Sequence, residues 1–265
     1  MARRGGDRRL RRALRSDRAG RQWPVARGTP ATSGRRVRPG IRLDRDLRPR
    51  LGPARDQGPR PTCLAFAASD LHAAIRQGWT PLSCEAVFFR AQRRSGRPAS
   101  VGTTLSALLE ALRLDGQPAE TDWPYLAVTP ANDAAWLPPA SPGHSYMRAG
   151  TSASVDWRHL IARLDEGRPV ILMMTLSRSF YGPDPDGVVR PSDEEQPDPA
   201  LRHAILAVGH GSVDGEPAVL IRNSWGGAWG QGGHAWLTAS FLGPRLFGMA
   251  LLDEDDDVSS RSAAA

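Results

Sequence analysis

An α+β fold is predicted, because helical periodicity is confined to the first half of this 265-residue chain and strand-like apolar runs to the second. Cys63 to about Gln77, Cys84 to Arg94 and Thr104 to Leu114 carry apolar residues at helical spacing, whereas Val170–Met174 and the runs after His203 are continuous and apolar. The length suffices for one large domain with a substantial core.

Residues 1–50 hold 17 arginines and 4 acids, a net charge of +13, against +7 for the whole chain, so the remainder sums to −6. Residues 1–40 are Arg, Gly, Pro and Ala with few large apolar groups, too few to offset the entropy of ordering them, and are read as a disordered arm. A solvated tail is the plain reading of that arm. A nucleic-acid-binding anchor and an inhibitory pro-segment are its functional alternatives. The domain is expected over 41–252, with 253–265 as an acidic, small-residue tail. Two cysteines make no disulfide framework, and neither CxxC nor HExxH is present, so no metal site and no cofactor are expected. With no apolar run of spanning length and no h-region behind the basic N-terminus, the expectation is a cytoplasmic protein with no membrane partner, and a monomer.

The elements follow in order. Ile41-Arg42-Leu43 and Leu47 suggest a short strand that leads into the Gly- and Pro-rich turn at Gln57. Thr62 is the expected N-cap of the first helix and Gly78 its C-cap. His72 on this helix is given no role. Ser83 caps the second helix, and Gly116 ends the third. Residues 126–153, rich in Pro, Ala and Ser, read as an irregular crossing. Ser154 to Leu164 is a fourth helix ended by Gly167, and Val170–Met174 a buried strand. Asp193-Glu194-Glu195 is expected in a solvated loop. His203–Val208, Pro217–Arg222, His234–Leu237 and Phe247–Leu252 are the remaining strands.

Chemistry concentrates in three stretches. Cys63 falls in the first turn of a helix, where unpaired backbone N–H groups and the helix dipole favour a thiolate. Gln57, six residues upstream, has an amide that can donate into the same space. His203 opens an apolar strand and Asn223 ends the next, so adjacent strands could give the thiol a base and that base an orienting partner, with Trp225 shielding both from water. Cys84 also lies in a first helical turn, but no oxyanion donor precedes it, and it reads as a packing residue.

Over roughly residues 45–252 the chain resembles the papain family of cysteine peptidases. The resemblance rests on Gln57–Phe66 (Gln-Gly-x-x-x-x-Cys-x-Ala-Phe), Leu82-Ser83, His203-Ala204, and Asn223-Ser224-Trp225-Gly226 followed by Trp229-Gly230. It implies a helical subdomain carrying the cysteine, an antiparallel β-barrel-like subdomain carrying His and Asn, and an active-site cleft between them. It further implies a peptidase using a Cys-His-Asn triad and a thioester intermediate on peptide or protein substrates. Cys63 would be the nucleophile, His203 the acid–base, Asn223 its orienter, and Gln57 with the Cys63 N–H the oxyanion donors. Val101, Gly102, Thr103, Ala204 and Trp225 would line the substrate cleft. The alternative is a papain-fold peptide-binding protein with weak turnover, because Pro61-Thr62, Leu64 and Arg202 depart from the family pattern around the nucleophile and the histidine. His234 stands where a tyrosine is usual and reads as a plain strand residue. The cysteines that brace secreted relatives are missing.

Overall fold

The computed structural model describes residues 14–16, 22–24, 40–76 and 78–253. The chain divides into two units, 1–37 and 38–265. In the first, strands β1 (Leu14–Ser16) and β2 (Gln22–Pro24) pair antiparallel. The rest of the expected Arg-rich arm, and the tail beyond Asp253, lie outside the described residues.

The second unit sets helices against one mixed sheet. β3 (Ile41–Asp46) comes first, followed by α1 (Cys63–Ile75), α2 (Cys84–Ser95) and α3 (Leu105–Leu114). Next come β4 (Gly150–Ala153), α4 (Trp157–Asp165), β5 (Val170–Leu176) and β6 (Val188–Val189). β7 (Asp198–Val213), β8 (Glu216–Arg222), β9 (His234–Thr238), the short α5 (Ala239–Leu242) and β10 (Leu246–Leu252) complete it. Strand order is β4-β10-β5-β7-β8-β9-β6, with β3 also on β7. Every pair in this sheet is antiparallel except β6 with β9. The sheet is antiparallel but for one pair, in keeping with the α+β fold expected from the resemblance, and its path is open and not closed into a barrel. β4 and β6 end the path without pairing to each other.

β7 is the spine. Its first half pairs with β5, and its second half lies between β8 and β3. β3 passes so close that a Cβ at Gly209 or Gly211 would collide with the carbonyls of Arg45 and Arg42, which is why Gly-His-Gly interrupts an otherwise bulky strand. One apolar core joins Leu64, Ala68 and Leu71 of α1 to Val170, Leu172, Ile205 and Ala207 of the sheet. The helix that begins at Cys63 is therefore packed directly on the strand that carries His203.

The element ends show where local signals hold. The Ser83 hydroxyl accepts from the backbone N–H of Ala86, as its position predicts, and the Thr104 hydroxyl, expected only as the first residue of the third helix, caps it by accepting from the N–H of Ala107. Thr62 does not cap α1 through its side chain. Its φ and ψ of −107° and 12° are not those of a capping residue, and its hydroxyl meets the Tyr125 hydroxyl at 2.8 Å. α1 also stops at Ile75, before the predicted end, although Gly78 does take a positive φ of 70°. The fourth helix starts at Trp157 because Asp156, and not Ser154, accepts from the N–H of His159, while residues just before it join β4 against β10. The crossing at 126–149 is irregular as expected, yet it buries Trp136 among Phe88 and Phe89. Asp193 and Glu194 are solvated, but Glu195 is turned inward: its carboxylate accepts from the Ser179 N–H and hydroxyl, both at 2.5 Å, and faces Arg245 at 3.8 Å. Those donors hold its pKa below the ordinary glutamate value despite burial.

Candidate active site

Backbone pairing first brings two distant stretches side by side. The N–H of Gln57 donates to the Ser224 carbonyl at 2.8 Å and that of Gly226 to the Arg55 carbonyl at 3.1 Å, while Asp56 and Trp225 form an antiparallel bridge. The turn after Arg55 is thereby stitched to the turn after β8. Side chains complete the link. The Ser224 hydroxyl donates to Gln57 Oε1 at 2.6 Å, and Gln57 Nε2 donates to the Arg60 carbonyl at 2.7 Å. An amide nitrogen carries two protons, so Gln57 is fixed at both ends and keeps one N–H to offer.

Asn223 sets the state of His203. Its Oδ1 accepts from the backbone N–H of Ser224 at 2.8 Å; a backbone N–H can only donate, so that atom is the amide oxygen. The same oxygen lies 2.8 Å from His203 Nε2, which must therefore donate to it. The neutral ring then carries its lone pair on Nδ1. The His203 ring is buried, with Trp225 tilted over it at a centroid distance of 4.9 Å and Phe180 at 5.7 Å. Tyr181 stacks on Trp225 at 5.4 Å. Burial pushes the His203 pKa down to about 4 against the opposing effect of its bond to Asn223.

Cys63 is half-buried at the first position of α1. Burial pushes its thiol up, while backbone groups of Ala204, Leu64 and Cys63 itself pull it down. The expected thiolate-favouring helix start is thus opposed by desolvation, and the larger effect is desolvation. The contact with the Ala204 backbone puts the sulfur beside the residue that follows His203. Cys84 is sealed in the core next to Arg55 and Glu120, its thiol pushed well above the ordinary cysteine range by burial.

The other expected positions fall as follows. Gly102 faces the Pro61 carbonyl, which a Cβ at Gly102 would meet at 3.6 Å, and the Val101 carbonyl is held by Gln92 Nε2 at 2.8 Å. Val101 is exposed, and Thr103 has a buried hydroxyl without a partner among the described residues. Ala204 is buried and Trp225 half-buried. Arg202 does not face His203: its guanidinium lies over the Phe247 ring at 5.4 Å, because successive strand residues point to opposite faces. His72 is buried against Gln117 at 3.0 Å. His234, at the start of β9, meets the Gly232 carbonyl at 3.0 Å, and burial pushes its pKa to about 4. Among the described residues no group of three or more His, Cys, Asp or Glu could hold a metal ion, and no helix is long and apolar enough to cross a membrane.

Ser224, Phe180 and Arg60 also take part, and no motif assigns them a task. Ser224 lay in plain view beside Asn223. Phe180-Tyr181, an aromatic pair just after a buried strand, was the available sign of a wall for the histidine.

A helix that starts at Cys63 and packs on the strand of His203, with Asn223 bonded behind the imidazole and the Gln57 turn stitched alongside, is the arrangement of a papain-like α+β fold. Comparison with known proteins agrees. Residues 44–241 match the model of the papain family cysteine proteases. A cysteine protease of Blomia tropicalis is 29% identical over 202 residues, which are 71% of this chain and 58% of that protein. The chain thus spans under three fifths of that relative's length. Among solved structures, xylellain, a cysteine protease from Xylella fastidiosa, superposes with a TM-score of 0.68 at 19% identity, covering 81% of this chain and 87% of that one. The Carica candamarcensis cysteine protease CMS1MS2, in complex with E-64, gives 0.58 at 21% identity, covering 78% and 96%. The chain belongs to the papain family of cysteine proteases.

Proposed function

We propose that this protein is a cysteine peptidase that hydrolyses peptide bonds of peptide or protein substrates through Cys63, His203 and Asn223. The observation that carries this reading is the chain from the Ser224 N–H through Asn223 Oδ1 to His203 Nε2, which leaves Nδ1 as the proton acceptor. His203 Nδ1 takes the Cys63 proton as sulfur attacks the scissile carbonyl and the carbonyl π pair moves onto oxygen. The remaining Gln57 N–H and the Cys63 backbone N–H receive that oxyanion. The tetrahedral intermediate collapses with loss of the amine, which leaves with the proton from Nδ1. Water, deprotonated by the same nitrogen, then cleaves the thioester and returns the thiol.

Burial raises the Cys63 thiol and lowers His203, so either charge alone is disfavoured. The two charges formed together attract one another in that dry setting, so proton transfer and charge pairing go hand in hand. Val101, Gly102, Thr103, Ala204 and Trp225 are the proposed substrate wall, with Gly102 held beside Pro61. The weak-turnover alternative loses one of its motives now that Arg202 is turned onto Phe247.

The test is turnover of a fluorogenic peptide library. Wild type should cleave a subset of sequences, and Cys63→Ser and His203→Ala should each lose about 10⁴-fold or more in kcat. Equal turnover by Cys63→Ser would remove the assignment.

A further inference from the structure

Arg60 and Glu85 have fully buried side chains and face one another as a bidentate ion pair, Nη1 on Oε2 and Nη2 on Oε1, the latter at 3.0 Å. The Glu85 carboxylate also accepts from the Leu126 N–H at 3.1 Å and from Trp136 Nε1 at 2.8 Å. Arg60 Nη1 donates to the Leu126 carbonyl at 2.7 Å, and the guanidinium lies over the rings of Tyr125 and Phe88 at 4.9 and 5.5 Å. Such a pair is a poor source of stability, since desolvating two charges costs as much as their attraction returns, and apolar residues of similar size often do as well. Its position is more telling than its energy. The carbonyl of Arg60 is the acceptor that orients the Gln57 amide, and Tyr125, under the guanidinium, donates its hydroxyl proton to the Gln57 carbonyl at 2.8 Å. One residue therefore has its side chain locked to α2 and to the crossing segment, and its backbone locked to the amide proposed to bind the oxyanion.

We infer that the Arg60–Glu85 pair is a positioning device for Gln57, holding the oxyanion-binding turn in register with Cys63. The inference rests on the peptidase reading above. It separates two reactions of one sulfur. Acylation by a peptide ester or anilide develops an oxyanion and needs Gln57 in place; alkylation by iodoacetamide is a displacement at carbon with no such oxyanion.

The double variant Arg60→Met/Glu85→Leu removes both charges without orphaning either, and Glu85→Gln is a second, isosteric variant that keeps an acceptor oxygen for Trp136 but takes the counter-charge from Arg60. In folded protein, the rate of acylation should fall about 10- to 100-fold in the double variant and less in Glu85→Gln, with KM little changed and the rate of Cys63 alkylation unchanged. Gln57→Ala should show the same split, and combining it with the double variant should add little further loss. Wild-type acylation in both variants overturns the inference, as does a parallel loss of acylation and alkylation, which would mark a general collapse of the site. Wild-type protein that is never acylated at Cys63 overturns the peptidase reading itself, and the inference with it.

Discussion

His203 is held in one tautomer by a single amide oxygen that serves two donors, and that residue-scale detail has a consequence for stability. The histidine stays neutral in the fold until about pH 4, whereas in the unfolded chain it protonates near its ordinary value of 6.5. His234 behaves alike. Between those two pH values the unfolded state binds more protons, so stability falls as pH drops from about 6.5 to about 4 and is insensitive to these groups above that window. Urea unfolding across this range should show the decline, and His234→Gln, at a residue the proposed chemistry does not use, should make it shallower. An unchanged slope in that variant would refute the assignment to buried neutral imidazole. Asp46 and Glu195, whose pKa values are depressed by their donors, add losses at the acid end that the variant does not touch.

At the scale of elements, one acid ties the helix to both turns that build the site. Asp70, one face of α1, accepts from Arg55 Nε and Nη2 at 3.0 and 2.5 Å and from Arg222 Nε at 2.6 Å. Arg55 lies two residues before Gln57, and Arg222 immediately precedes Asn223 and also donates to the Gly52 and Pro53 carbonyls. Asp70→Asn leaves two buried guanidiniums short of their counter-charge and should cost about 3 kcal/mol or more of unfolding free energy. Asp44→Asn, which breaks the exposed pair with Arg42, should cost little in the same urea titration. Similar midpoints for the two variants would contradict this account. Neither arginine announces the network in sequence, because its partners come from 15 and 152 residues away. The same reason hid the Ser224–Gln57 bond and the strands β4 and β6, whose residues have no strand pattern until β10 and β9 align them. Caps are different. Ser83 and Thr104 act on N–H groups three residues away, and that information is wholly local. Thr62 had the right type and place, but a tyrosine from another segment took its hydroxyl.

For the whole molecule, the helical layer and the sheet share one core, and the fold class was legible because helical and strand-like patterns occupy separate halves of the chain. Openness of the sheet was not legible, since closure depends on how its two end strands meet and not on the pattern within any strand. The candidate site was legible to the extent that short motifs singled out Cys63, His203 and Asn223 as candidates; the desolvation of the first two was not, because burial is a property of the assembled core. That core puts the start of α1 against β7, so Cys63 and His203 should act as a unit while Cys84, sealed elsewhere, stays inert. Peptide mapping of folded protein treated with an epoxysuccinyl peptide inhibitor tests this most directly. The account predicts a covalent adduct on Cys63 alone, strongly diminished in His203→Ala. An adduct on Cys84 alone, or none on the folded wild type, would contradict it.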